Sequence, residues 1–326
     1  MRSASPSRPR PMPAGVSLLT GLFAISLLAP RPASAGGPFK TDRQVRAVVL
    51  GGSISMYYAG NYGQYLQHGC RNLEVVNRAK VGAGGAALVK RFDKVVAGDP
   101  ALARQLAGRE TWLLFQGGLN SVYAPSSTSL HLSRLFKRAH EAGMQVMAWT
   151  LTPWGDESDR RFAGFEGVKT VRDTRHVNAF LLGSLSPDEA LGRAGKGHPH
   201  EWLKGELPDI SVDVFNSNLR DSGASERPTA ALEQGFGRSR YRKEATARAT
   251  IISEARAVPR NFMRPTFRDF DHTHPNTRGH RLMALAACRR APASWGCDCD
   301  RIARAVFSGH VRDPKGGEGK GKGKGK

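Results

Sequence analysis

The run Val45–Leu50, apolar and rich in β-branched residues apart from Arg46, stops at Gly51-Gly52 and leads directly into Ser53-Ile54-Ser55. A run of this kind has no polar side to turn to water, so it reads as a strand buried on both faces. Both faces of its sheet must then be covered, and the following sequence supplies the cover. Leu73–Asn77 and Glu110–Gln116 repeat the strand signal, the latter ending at Gly117-Gly118. Met144–Leu151, closed by Pro153, and Ile210–Phe215 complete five strands. Helical spacing runs over about 86–96, over Ser129–Ala142 with Gly143 as the closing residue, over about 168–182 and over Thr277–Cys288. Strands alternating with helices predict an α/β fold, a three-layer α/β/α sandwich around a mostly parallel five-stranded sheet.

The chain has 326 residues, 40% hydrophobic and 24% charged, enough for one sizeable core and too evenly mixed for a fibrous or wholly disordered protein. Residues 1–35 read as an export signal: Arg2, Arg8 and Arg10 precede the 13-residue apolar run Val16–Leu28, and Ala33-Ser34-Ala35 fits small-residue cleavage. That run is shorter than the ~20 residues a membrane-crossing helix needs. The expected mature protein is exported, periplasmic or secreted. Its domain runs over residues 36–313, with a polar, Arg-, Ser- and Ala-rich insertion at 221–265 and a Lys-Gly tail at 314–326 that has no apolar residue to fold around.

Of the formal net charge of +21, residues 1–35 and 314–326 hold +4 each, which leaves +13 for residues 36–313. Such an excess points to anionic surroundings such as acidic polysaccharide, lipid head groups or cell-wall polymer. No helix-turn-helix and no aromatic-rich RNA-binding motif accompanies it. Export favours disulfides among Cys70, Cys288, Cys297 and Cys299, with three connectivities open. Cys297-Asp298-Cys299 lacks the ligand gap of a zinc site.

In a sheet of this class chemistry gathers at the carboxyl ends of the strands. Ser53 stands between the end of the first strand and a helix start, where its hydroxyl is exposed and backbone N–H groups converge. By itself this is an ordinary turn. Asp271-His272-Thr273-His274-Pro275 is the more specific signal. An Asp three residues before a His on a loop can accept the proton of one imidazole nitrogen and leave the other to deprotonate a Ser. His272 competes for that role, and a pair of alternate loop histidines without an acidic set is poor evidence for a metal. Gly82 and Asn120 end the second and third strands and can supply, with the Ser53 N–H, three donors to an oxyanion. The plainer readings are a turn glycine and a loop-capping amide. His280 reads as packing or surface, His198 and His200 lie in a polar loop, and Trp149 and Trp154 flank the end of the fourth strand as core or cleft lining.

At this point the chain resembles the SGNH/GDSL hydrolase family, over roughly residues 45–290. Gly51-Gly52-Ser53-Ile54 resembles its nucleophile block, Asn77–Gly82 its glycine block, Gly118-Leu119-Asn120 its asparagine block and Asp271–Pro275 its Asp-x-x-His block. The resemblance implies a Ser–His–Asp ester hydrolase with Ser53 as nucleophile, His274 as base, Asp271 as orienter, and Ser53, Gly82 and Asn120 as oxyanion donors. Neither a cofactor nor a metal is part of that chemistry. Gly52 and Ser121 stand where the family has Asp.

An α/β-hydrolase would carry Gly-x-Ser-x-Gly, whereas this turn ends in Ser55. A catalytically weak or inactive carbohydrate-binding or envelope protein is the non-enzymatic alternative. Export and the basic core favour, as substrate, an acyl ester, acetyl included, on a carbohydrate or other extracellular compound.

Overall fold

A computed structural model describes residues 39–57, 60–156, 165–192, 201–202, 205–221 and 262–307. The export signal, the Lys-Gly tail, His198, His200 and nearly all of the 221–265 insertion lie outside them. Five strands form one sheet: β1 (Val45–Gly51), β2 (Leu73–Asn77), β3 (Glu110–Gln116), β4 (Gln145–Trp149) and β5 (Ile210–Val212). Their order is β2-β1-β3-β4-β5, and every adjacent pair is parallel. The expected "mostly parallel" sheet is therefore wholly parallel. The fourth and fifth strands end earlier than expected: after a last backbone bond from Thr150 N–H to the Val212 carbonyl, the Thr150 hydroxyl bonds Asp213 and accepts the Val214 and Phe215 N–H groups of the turn after β5.

The helices are α1 (Ser53–Met56), α2 (Tyr62–Gly69), α3 (Gly85–Phe92), α4 (Pro100–Leu106), α5 (Pro125–Glu141), α6 (Phe165–Leu181), α7 (Pro187–Ala190), α8 (Thr277–Cys288) and α9 (Cys299–Phe307). α2, of eight residues, opens on a capping box in which Asn61 accepts the Gly63 and Gln64 N–H groups and the Gln64 side chain accepts the Asn61 N–H. α4 starts on Asp99 with Pro100 in its first turn.

Alternation along the strands divides the core in two. Val45, Ala47 and Val49 face α2, α8 and α9, together with Trp112, Leu114, Trp149 and Trp295. Val48, Leu50, Leu113 and Phe115 face α3, α5 and α6. Helices thus cover both faces, giving three layers. Arg46, the buried exception in the first apolar run, gives its two terminal guanidinium nitrogens to the Gln105 and Thr41 carbonyls at 2.5 and 3.0 Å.

Two disulfides, Cys70–Cys297 and Cys288–Cys299, resolve the open connectivity. Both lie in the first layer and join α2, α8 and α9. Sulfurs of Cys70, Cys288 and Cys297 come within 4.8 Å of one another, but all are disulfide-bonded and offer no thiolate to a metal. No helix among the described residues is long and apolar enough to cross a membrane.

Candidate active site

The sheet order reverses between β1 and β3, and at such a switch point the loops leaving the strand ends part to form a crevice. Ser53 opens α1 directly after β1. The turn is held from beneath: the Ser55 hydroxyl, fully buried, donates to the Gln116 carbonyl at 2.8 Å and so accepts from Tyr62 Oη at 2.9 Å. Burial pushes the Tyr62 hydroxyl up, which keeps it a neutral donor. Gly51 is obligatory here, since a Cβ would lie 1.8 Å from the Gln116 carbonyl oxygen. On the other side Asn77 donates its amide to the Ser55 carbonyl at 2.8 Å.

The His loop arrives from the far end of the chain, 221 residues away. Asp271 Oδ1 accepts the N–H groups of Thr273 and His274, each at 2.9 Å, which bends the backbone so that Oδ2 bonds the imidazole Nδ1 of His274. Burial works to raise the Asp271 carboxyl, yet the bonds from the His274 and Thr273 backbone and from the His274 ring hold it below its ordinary value. An ionised Asp271 keeps the proton on Nδ1. Nε2 then carries the lone pair, and it lies 2.7 Å from Ser53 Oγ. Asn276 caps α8 immediately afterwards by accepting the Gly279 N–H, which fixes where the loop ends. Gly279 cannot carry a side chain, because a Cβ would lie 2.4 Å from the Phe267 carbonyl oxygen.

His272, the rival base, adopts φ 62°, and its carbonyl accepts the Gly155 N–H at 2.6 Å. It ties the loop after β4 to the His loop, while the His274 ring reaches Ser53. His280 is fully buried, stacked on Tyr57 with ring centroids 4.6 Å apart. Its pKa is pushed down to about 3 by burial, with a smaller push from His274. Trp149 is core, its indole donating to the Met283 carbonyl, and Trp154 bonds Thr174.

Of the donor candidates, Gly82 has φ +74° and open space around its missing Cβ, so conformation and not crowding demands glycine there. Asn120, exposed in the short 3-10 turn Leu119–Ser121, gives its amide to the Ala83 carbonyl at 3.3 Å. That amide nitrogen would lie 3.1 Å from a Cβ at Gly52, so it sits beside the Ser53 turn, and its bond to Ala83 puts it beside the turn that holds Gly82. The two family Asp positions now have local accounts. A side chain at Gly52 would press on Asn120. Ser121 accepts the Gly85 N–H at the start of α3 and donates to the Gly118 carbonyl, which anchors the Asn120 turn without a carboxylate.

Sequence reasoning missed Ser55, Tyr57, Tyr62 and Asp269. Tyr57 donates to Asp269 Oδ2 at 3.1 Å, clasping the Ser53 turn to the His loop across 212 residues. No local spacing signals such a contact.

No protein-family model and no curated protein matches this sequence. Several solved structures do. A member of the lipolytic G-D-S-L family from Veillonella parvula is 14% identical, with 75% of this chain and 97% of that one covered at a TM-score of 0.42. A GDSL-like lipase from Bacteroides thetaiotaomicron is 14% identical over 77% and 89%, at 0.45. A catalytic mutant of an acetylxylan esterase from Geobacillus stearothermophilus is 13% identical over 78% and 95%, at 0.42. These neighbours are lipases and esterases. At such identities and TM-scores the likeness carries no argument, and the chemistry below rests on the side chains.

Proposed function

We propose that this protein is a carboxylic ester hydrolase of the SGNH/GDSL type, exported after loss of residues 1–35, with a hydrolase domain over 36–313. The observation that carries the reading is the pair of contacts on one imidazole: Asp271 on Nδ1 and the Ser53 hydroxyl, 2.7 Å away, on Nε2. Ser53 Oγ attacks the ester carbonyl carbon as His274 Nε2 takes its proton, and Asp271 stabilises the imidazolium that forms. The tetrahedral oxyanion is met by the Ser53 and Gly82 N–H groups and the Asn120 amide. Collapse expels the alcohol, protonated by His274. Water, activated by the same imidazole, then attacks the acyl-Ser53 ester and releases the acid.

Two disulfides among the described residues support an oxidising compartment. The substrate class is an acyl ester of a carbohydrate or other envelope or extracellular compound, and the basic surplus of the chain suits an anionic polymer or surface. A fluorophosphonate probe tests the reading directly: it should label wild type and leave Ser53→Ala unlabelled, and labelling of a different serine would overturn the assignment.

A further inference from the structure

Five large apolar side chains stand exposed among the described residues: Met56 at 47%, Val81 at 65%, Tyr123 at 72%, Leu182 at 36% and Phe270 at 87%. Single exposed apolar residues are ordinary and need no explanation. These are not scattered singly. Four of the five lie within three residues of a candidate site residue, on four segments that meet at the carboxyl edge of the sheet. Met56 is at i+3 from Ser53 in α1, which puts both on one face of that helix. Tyr123 is three residues beyond Asn120, two past the end of the 3-10 turn Leu119–Ser121. Val81 precedes Gly82, and Phe270 precedes Asp271. Leu182, the fifth, follows α6, which returns from the carboxyl edge; the neighbouring Leu181 carbonyl accepts from Ser211 in β5, away from the site.

The oxyanion donors Gly82 and Asn120 are themselves exposed, so the site is shallow and its surround is what a bound ester touches next. Recognition of a sugar next to the ester would call for amides and carboxylates projecting from those positions, because hydroxyl groups lose water there and need partners. The four exposed positions Met56, Val81, Tyr123 and Phe270 carry aliphatic and aromatic side chains instead. We propose that Met56, Val81, Tyr123 and Phe270 form an apolar rim that selects the acyl chain, so that the preferred substrates are esters of medium-length fatty acids and not acetyl esters. This rests on the hydrolase reading given above.

A methylene fully removed from water contributes about 0.8 kcal/mol, close to fourfold in kcat/KM. A rim covers only one side of a chain, so the six methylenes separating octanoate from acetate should together raise kcat/KM at least tenfold. The experiment measures kcat/KM of the full chain on p-nitrophenyl esters from acetate to octanoate, the alcohol held constant, and on an acetylated polysaccharide. Phe270→Ser and Tyr123→Ser should each lower the octanoate-to-acetate ratio threefold or more. Leu182→Ser, which removes the same kind of surface elsewhere, should leave the ratio unchanged. Because a ratio is read, a general loss of folded enzyme does not move it. A preference for acetate or for the acetylated polysaccharide, or a ratio that neither rim variant changes, overturns the rim while leaving the hydrolase reading intact. Absence of turnover on every ester overturns both.

Discussion

The two helical layers deliver different halves of the candidate site and are held by different means. The layer of α2, α8 and α9 brings the His loop, since α8 begins three residues after His274. Its helices are short and carry buried polar groups, His280 and Tyr62 among them, and two disulfides join their ends. The opposite layer brings the donor turns. It contains α5 and α6, each of 17 residues, and no cysteine among the described residues. There the Asn120 turn is anchored by hydrogen bonds of Ser121 to Gly118 and Gly85. The comparison teaches that the layer of short helices behind the His loop is stapled covalently at the helix ends remote from that loop, whereas the layer with two 17-residue helices has no such staple among the described residues, and in both layers the site turns themselves are held by hydrogen bonds.

The largest test of this division removes the base. His274→Ala should lower kcat by about 10⁴–10⁶-fold, as loss of a triad histidine does. His272→Ala should retain most turnover. Steady-state kinetics on a soluble ester decide it, and the reverse pattern would move the base by two residues. Next in size is the donor from the other layer. Asn120→Ala should depress kcat by about 10²–10³-fold with little change in KM, corresponding to ~2.7–4 kcal/mol of lost oxyanion stabilisation. An unchanged kcat would reduce Asn120 to a loop cap.

Opening the staples comes third. Paired Ser substitution of Cys70 and Cys297, which are 227 residues apart, should cost about 2–4 kcal/mol in urea unfolding. The pair Cys288 and Cys299, only 11 apart, should cost less, because closing a shorter loop removes less unfolded-chain entropy. Equal costs would mean that native strain or packing, not loop length, sets their value.

The smallest effect concerns His280, whose folded pKa of about 3 lies below its ordinary 6.5. Between those values the unfolded chain binds a proton that the folded chain refuses, so stability falls as pH falls through that window, by up to about 1.4 kcal/mol per pH unit. Thermal midpoints from pH 7 to 4.5 should decline in wild type and decline less in His280→Phe. Identical slopes would locate the acid sensitivity elsewhere.

Strands were legible because a sheet buried on both faces admits few polar side chains, and β2 and β3 begin and end where their apolar patterns do. Helix α8 was equally plain from its period. By contrast α2, α4 and α9 are only 8, 7 and 9 residues long, too short for a period to stand out from the flanking loops. Ser53, Asp271, His274, Gly82 and Asn120 were nameable because backbone turns and an Asp-x-x-His spacing are local properties. The sequence alone also specified which cysteines were available and that the central domain is basic.

Only the tertiary structure decided which histidine meets Ser53, which cysteines pair, and what surrounds Gly52 and Ser121. The Ser53–His274 and Cys70–Cys297 contacts join segments 221 and 227 residues apart, and the energy that selects them comes from packing that no local pattern encodes. His272 and His274 differ by two positions in sequence. The Asx turn at Asp271 directs the second toward Ser53, while the backbone of the first is bound to the loop after β4.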